Sequence, residues 1–139
     1  MTKKLLLLFT ALGATGVMLG AFGAHGLKDH LSPERLETYQ KGVFYQFVHV
    51  LAGILSLLLL LHYNHKLMRL APWFFAAGIL CFSGSLYLLA VRDITGMNHW
   101  GWLVPITPLG GVCFITGWLL LFAGLLKSKP GLPEKKQPR

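Results

Sequence analysis

Charged side chains are scarce in this sequence. Only 13% of its 139 residues are Asp, Glu, Lys or Arg, whereas a soluble domain carries about 25%. So few charges leave too little polar surface to cover a water-soluble globule of this size. The hydrophobic fraction of 54% argues equally against an intrinsically disordered chain, because disorder requires low hydrophobicity. Both classes are therefore disfavoured.

Cysteine and the acidic residues are also few. Two cysteines cannot form a disulfide framework or supply the four ligands of a structural zinc site. The net charge is +8, but the basic residues flank apolar segments rather than forming one patch, which argues against nucleic-acid binding. The sequence contains no nucleophile–base arrangement, phosphate-binding glycine loop or carboxylate pair. We expect no catalytic residue, no metal site and no cofactor.

Long apolar runs make up most of the chain. Four segments contain no Asp, Glu, Lys or Arg, and they cover residues 5–24, 43–61, 71–91 and 102–126. At ~1.5 Å per residue, each is long enough as a helix to cross a hydrocarbon core of about 30 Å. Backbone polar groups in lipid must be satisfied within each segment. The sequence therefore predicts an all-α membrane protein, with a bundle of four transmembrane helices in residues 1–126.

The first apolar run has an alternative interpretation as a signal peptide. Lys3 and Lys4 precede it, and the small residues Gly20, Ala21 and Gly23 lie near its end. The apolar core of a signal peptide is about 7–15 residues long, which is shorter than the 5–24 run. We therefore expect this run to be retained as the first transmembrane helix.

The distribution of Lys and Arg predicts the orientation of the helices. Nine of these residues lie in the N-terminus, the 62–70 loop and the C-terminal tail. Four lie in the 25–42 and 92–101 loops, together with four of the five acidic residues. Cytoplasmic loops carry an excess of Lys and Arg. We expect both termini in the cytoplasm, and a disordered basic cytoplasmic tail over residues 127–139.

The first outer loop is predicted to contain an amphipathic segment on the membrane surface that leads into the second helix. Ser32 is a good N-cap, Pro33 suits the first helical position, and Glu34 complements the positive end of the helix dipole. Glu37 and Lys41 are four residues apart, which is the spacing of a helical ion pair.

Glycine is concentrated in the predicted spans. Small residues let membrane helices approach closely, because lipid provides no hydrophobic drive for helix association. We assign a helix-packing role to Gly13, Gly16, Gly20, Gly23, Gly84, Gly110, Gly117 and Gly124. The alternative of a glycine-lined pore is disfavoured, because four helices barely enclose one. Cys81 and Cys113, near the middles of the third and fourth spans, are interpreted as small hydrophobic residues.

Polar side chains within the spans are predicted to collect in the outer half of the bilayer, whereas the inner half is almost entirely aliphatic. This polar cluster consists of His25, Tyr45, His49, Ser83, Ser85, Tyr87 and Thr107. An ionisable residue inside a membrane is a functional candidate because its burial is costly. The cluster is therefore either a structural hydrogen-bond network or a ligand-binding site.

His49 is the clearest candidate in this cluster. It lies about two turns into the second span, and Tyr45 lies one turn earlier on the same face. An unpaired polar group in hydrocarbon costs several kcal/mol. We therefore expect His49 to face the other helices, within hydrogen-bonding reach of Tyr87, Ser83 or a backbone carbonyl freed by a proline of the fourth span.

Four motifs resemble those of a known family. They are G-A-F-G-A-H at 20–25, Y-Q-K-G-V-F-Y-Q-F-V-H at 39–49, F-S-G-S-L-Y at 82–87 and T-P-L-G-G at 107–111. Over roughly residues 5–126 the chain resembles the YgdD-like family of small bacterial inner-membrane proteins, a domain of unknown function with similar small transmembrane proteins in eukaryotes. The resemblance implies a four-span protein of the bacterial cytoplasmic membrane. It implies no activity, substrate or catalytic residue.

Three functions are compatible with the sequence. The first is a non-enzymatic membrane protein whose outer-leaflet polar cluster organises packing or binds a lipid-like ligand or partner. The second is a small transporter or proton-coupled channel that uses His49. The third is a haem- or metal-binding redox protein that uses His25 and His49. The partners we expect are the lipid bilayer, a lipid or quinone-like ligand, and a membrane-protein partner or a second copy of the chain, but not nucleic acid.

The predicted orientation can be tested with single cysteines in a background from which both native cysteines have been removed. We expect Glu37→Cys and Asp93→Cys to react with an impermeant thiol reagent in intact spheroplasts, because their loops face outward. Lys66→Cys and Lys135→Cys should react only after lysis. The opposite labelling pattern would place both termini outside.

Overall fold

The computed structural model describes residues 2–63, 65–96 and 100–128, and these residues form only helices and turns. Four helical stretches are long and apolar enough to cross a membrane, namely Lys3–Leu27, Pro33–Leu59, Ala71–Val91 and Gly101–Lys127. The predicted all-α membrane protein with four spans is therefore confirmed. The predicted disordered tail lies outside the described residues from position 129 onwards.

The first two spans are long helices joined by a short turn. Helix α1 runs over Thr2–Phe22 and ends in one π-helical turn, Gly23–Leu27. Helix α2 runs over Pro33–Leu59, and the Ser32 hydroxyl accepts a hydrogen bond of 3.3 Å from the backbone N–H of Arg35. With 27 residues at ~1.5 Å each, α2 is longer than the ~30 Å hydrocarbon core. The predicted amphipathic segment is thus the first part of α2 and continuous with the span.

The third and fourth spans are not regular α-helices throughout. The third span is made of α3 (Ala71–Gly78), a π-helical segment (Ile79–Ser83) and α4 (Gly84–Val91). The fourth begins with a 3₁₀ turn, Trp100–Leu103, and continues as α5 over Ile106–Lys127. The fourth span therefore begins as a 3₁₀ turn and becomes α-helical only after Pro105. Pro105 has no backbone N–H and disfavours the helical conformation at the residue before it, so α5 begins after it.

The spans pack mainly against their neighbours in the sequence. Helix α1 packs on α2, α2 packs on the third span, and the third span packs on α5. We call the end of the helices that carries Arg35 and Asp93 the polar end. The opposite end, which carries Lys66, Arg69 and Lys127, is called the basic end. These names describe the molecule and not the side of the membrane.

Two apolar clusters fill the space between the helices. The larger one lies towards the basic end and includes the fully buried Phe9, Phe75 and Met68. The smaller one lies at the polar end and includes Leu27 and Tyr39. The region between the two clusters is where most of the buried polar side chains of α2 and the third span are found.

Glycines occupy the closest contacts between helices. A Cβ at Gly117 would lie 2.6 Å from the ring of Phe75, and one at Gly110 would overlap the backbone of Phe82. Seven of the eight glycines predicted to pack have an atom of a neighbouring segment within 4 Å of such a Cβ. A Cβ at Gly84 has no such neighbour among the described residues. The flanking Ser83 and Ser85 are buried, whereas Gly84 is partly exposed.

This difference between the glycines predicts opposite effects of adding one methyl group. Gly110→Ala should destabilise the protein by about 1–3 kcal/mol, because backbone atoms of the third span cannot easily move away. Gly84→Ala should be neutral or stabilising by up to about 1 kcal/mol, because Ala favours the helix and meets nothing. Both free energies can be measured by unfolding in mixed detergent micelles. Equal effects of the two changes would contradict the helix contact at Gly110.

Candidate functional site

One face of α2 carries several buried polar side chains. Tyr39, Gly42, Gln46, His49 and Gly53 follow one another at intervals of three and four residues, which is the spacing of a single helical face. All five are buried. Because α1 and the third span pack against α2, polar groups on this face can reach both of them.

Gln46 connects three spans through its side-chain amide. Its Nε2 donates hydrogen bonds to the Leu12 carbonyl at 2.7 Å and to the Thr15 hydroxyl at 3.2 Å, both on α1. Its Oε1 accepts a hydrogen bond of 2.7 Å from the Tyr87 hydroxyl on α4. Since Gln46 is only 3% exposed, these bonds form away from water. The amide thus ties α1 and the third span to α2.

Two further hydrogen bonds connect neighbouring spans. The Tyr39 hydroxyl donates to the Leu19 carbonyl of α1 at 3.0 Å. The hydroxyls of Ser85 and Thr107 lie 2.7 Å apart and join α4 to α5. Because the Ser85 hydroxyl donates to the Phe82 carbonyl, its oxygen accepts the hydrogen bond from Thr107.

An ion pair joins α2 to the end of the third span at the polar end. The Nη2 of Arg35 lies 2.9 Å from Oδ2 of Asp93, and its Nε donates to the same oxygen at 3.0 Å. The Nη1 of Arg35 also donates to the Leu89 carbonyl at 3.3 Å. Both side chains are partly exposed, so the pair contributes modestly to stability and mainly fixes the relative position of the two segments.

Aromatic rings surround the His49 side chain. Its ring stacks on Phe114 of α5, with centroids 3.4 Å apart and an interplanar angle of 8°. The rings of Phe75 and Trp118 lie further away, with centroid distances of 5.8 Å and 6.5 Å. The Tyr45 ring is parallel to His49 at 5.9 Å. His49 therefore links α2 to α5 by ring stacking.

The hydrogen bond made by His49 fixes its tautomer. Nδ1 lies 2.8 Å from the Tyr45 carbonyl oxygen, and a carbonyl can only accept. Nδ1 therefore carries the proton, and Nε2 of the neutral ring presents a lone pair. Within the described part of the chain, no group forms a hydrogen bond with Nε2.

The expectations for His49 are met in part. The residue faces the other spans and is only 4% exposed. Its hydrogen bond, however, goes to its own helix, so the predicted bond to Tyr87, Ser83 or a freed carbonyl is wrong. The Tyr87 hydroxyl already bonds to Gln46, and the carbonyl one turn earlier is the nearest acceptor for the ring.

The other predicted polar residues do not form one continuous site. His25 is exposed in the π-helical turn after α1. Tyr45 contacts Phe82 and Phe114 but is 37% exposed. The Ser83 hydroxyl is the only fully buried side-chain oxygen or nitrogen without a partner among the described residues. In the same part of the chain, no three His, Cys, Asp or Glu side chains are close enough to share a metal ion.

Two residues that make bonds between helices, Gln46 and Tyr39, are absent from the polar cluster predicted from the sequence. Gln46 lies three residues before His49, and Tyr39 lies seven residues before Gln46. This spacing places all three on one helical face and could have identified them. No sequence spacing predicts the Arg35–Asp93 ion pair, because the two residues lie 58 positions apart in the chain.

Comparisons with known proteins agree with the motifs. A family model described as a protein of unknown function (DUF423) matches residues 19–111. A UPF0382 membrane protein of Staphylococcus saprophyticus is 40% identical over 123 residues, which cover 86% of this chain and 97% of that protein. The UPF0382 membrane protein of Haemophilus influenzae is 40% identical over 129 residues, which cover 93% and 98%.

The UPF0382 inner membrane protein YgdD of Escherichia coli is 37% identical over 136 residues, which cover 93% of this chain and 95% of YgdD. No solved structure matches the chain. The family model covers more than half of the sequence, and the relatives match over nearly their whole length. These matches confirm the resemblance seen in the motifs, and the chain belongs to the DUF423 family, whose relatives are named UPF0382 membrane proteins.

Proposed function

We propose that the protein is a non-enzymatic integral protein of the bacterial cytoplasmic membrane, in which the buried polar residues hold the spans in one fixed arrangement. The observation that carries this proposal is the position of Gln46, whose amide bonds to α1 and to α4 at once. The name of the relative YgdD supports an inner-membrane location. We also propose that both termini are cytoplasmic, which places the polar end at the outer surface.

The physical argument rests on what holds membrane helices together. Apolar side chains gain little by leaving lipid for protein, so helices associate through close packing and hydrogen bonds. Such bonds contribute about 0.6 kcal/mol on average and up to about 1.7 kcal/mol. Most of the buried donors and acceptors described above bond to another span, which suits a structural network better than a transport path. We therefore do not propose the transporter or the redox protein.

The network can be tested by replacing Gln46 with a side chain of similar size. Gln46→Leu should lower the free energy of unfolding by about 1–3 kcal/mol, because it leaves the partly buried Tyr87 hydroxyl without a partner. Adding Tyr87→Phe should recover part of this loss, since both polar partners are then gone. The matched control is Gln40→Leu on the exposed side of the same helix. The network is contradicted if Gln46→Leu and Gln40→Leu have equal effects in mixed-micelle unfolding.

A second candidate function is the binding of an amphiphile at His49. The observation that favours it is the lone pair on Nε2, which no described residue uses. Tyr45 and Trp118 beside the ring are 37% and 43% exposed, so a ligand can approach from the surface that faces lipid. A lone pair accepts a hydrogen bond, so the ligand must donate one. A quinol or a lipid headgroup with a hydroxyl meets this requirement, whereas a quinone does not.

This binding can be tested by native mass spectrometry in mild detergent with an added short-chain quinol. We expect the quinol to bind to the wild-type protein, and the corresponding quinone not to bind, because it lacks the donor. His49→Leu should abolish quinol binding while the fold is retained, since the change removes the ring and its polar atoms together. The exposed His62 provides the control variant His62→Leu, which should bind normally. Equal binding of quinol and quinone would exclude His49 as the acceptor.

A further inference from the structure

Two free thiols lie on neighbouring spans. Cys81 belongs to the π-helical segment of the third span, and Cys113 belongs to α5. They are the only cysteines of the chain, and both side chains are partly exposed. The sequence alone indicates no more than two small hydrophobic residues at these positions. Whether they form a pair depends on how the two spans pack.

Three close contacts, each between a glycine and a phenylalanine, fix the register of the third span against α5. In order along the third span, the pairs are Phe75 with Gly117, Gly78 with Phe114, and Phe82 with Gly110. Residue numbers rise along one span as they fall along the other, so the two spans are antiparallel. At the third pair the backbones themselves approach, because a Cβ at Gly110 would lie 2.8 Å from the Cα of Phe82.

This register places the two cysteines at nearly the same height. Cys81 lies one residue before Phe82, and Cys113 lies three residues after Gly110. Because the spans are antiparallel, both steps lead in the same direction from the contact between Phe82 and Gly110. At ~1.5 Å per residue the two Cα atoms therefore differ in height by only about 3 Å.

The two cysteines also lie on the same side of this contact. Cys113 lines an apolar groove of about 250 Å³ together with Trp73, Phe74 and Ala77 of α3. Cys81 follows Ala77 by four residues, about one helical turn, which places both on one face of the third span. The two thiol groups are close enough to interact electrostatically. Since Trp73 is 50% exposed, the groove beside them opens towards lipid.

The apolar surroundings decide which chemistry suits such a pair of thiols. Two thiols can bind a soft metal ion as thiolates or be oxidised to a disulfide. A complex of two thiolates with a monovalent ion keeps a net negative charge, which is costly inside a membrane. A disulfide is uncharged, and it joins Cα atoms about 4.4–6.8 Å apart, which is compatible with the small difference in height and the backbone contact at Phe82. Oxidation is therefore favoured over metal binding.

We propose that Cys81 and Cys113 form a redox-active dithiol that a lipid-soluble quinone oxidises to a disulfide. Both S–H bonds break, one S–S bond forms, and two electrons and two protons pass to the quinone, which becomes a quinol. The reaction needs neither haem nor a metal ion, and it does not depend on the binding of a quinol at His49. The disulfide joins the third span to α5 covalently, next to the Phe114 ring that stacks on His49.

The oxidation can be tested with reduced protein in phosphatidylcholine vesicles, incubated with a short-chain quinone in the absence of oxygen and in the presence of a metal chelator. The wild-type protein should lose both thiols, measured by alkylation in SDS and intact-mass spectrometry. It should also produce one quinol per chain, measured by ultraviolet absorbance. Dithiothreitol should restore both thiols. In Cys81→Ala and in Cys113→Ala, the remaining thiol should stay reduced and no quinol should form.

The matched control is Cys113→Ala combined with Ile115→Cys. It keeps two thiols at a similar depth but moves one of them to a position on α5 where the native side chain is 62% exposed. This control should retain both thiols, and oxidation equal to that of the wild type would overturn the proposal. So would a wild-type protein that keeps its thiols, forms a quinone adduct on one cysteine, or forms a disulfide between two chains. The wild-type measurement decides the proposal even if a variant does not fold.

Discussion

The arrangement of the four spans depends on interactions that remain favourable in lipid. Contact between apolar side chains does not by itself hold helices together in a bilayer, because acyl chains offer the same contacts. Two alternatives remain, close approach of backbones and hydrogen bonds between helices, and this protein uses both. Gln46 bonds to α1 and α4, while glycines on every span contact larger side chains of a neighbouring span.

The close contacts pair a glycine with a larger side chain, which is most often aromatic. The rings of Phe9, Phe75 and Phe114 lie over Gly53, Gly117 and Gly78 of the facing helices. Because Phe114 also stacks on His49, the position of the imidazole depends on how tightly the third span packs on α5. The polar and apolar parts of the structure are therefore coupled, and the setting of His49 cannot be understood from α2 alone.

The two ends of the molecule offer different chemistry to the membrane. The polar end carries the Arg35–Asp93 ion pair and the hydrogen bonds of Tyr39, all of which are used within the protein. The basic end carries the exposed Lys66 and Lys127 and lies next to the larger apolar cluster, which includes Phe9, Phe75 and Met68. Both ends therefore help to hold the helices together, the polar end by hydrogen bonds and an ion pair and the basic end by apolar packing.

The sequence by itself determined the four spans and the helix start at Ser32, because these follow from local rules. Each segment in lipid must satisfy its own backbone, and each N-cap acts within one turn. Only the tertiary structure decided that Tyr87 bonds to Gln46, that His49 bonds to its own helix, and that no described atom lies within 4 Å of a Cβ at Gly84. The π-helical segment Ile79–Ser83 and the rotation of each helix about its axis set these partners, and both depend on contacts between residues far apart in the chain.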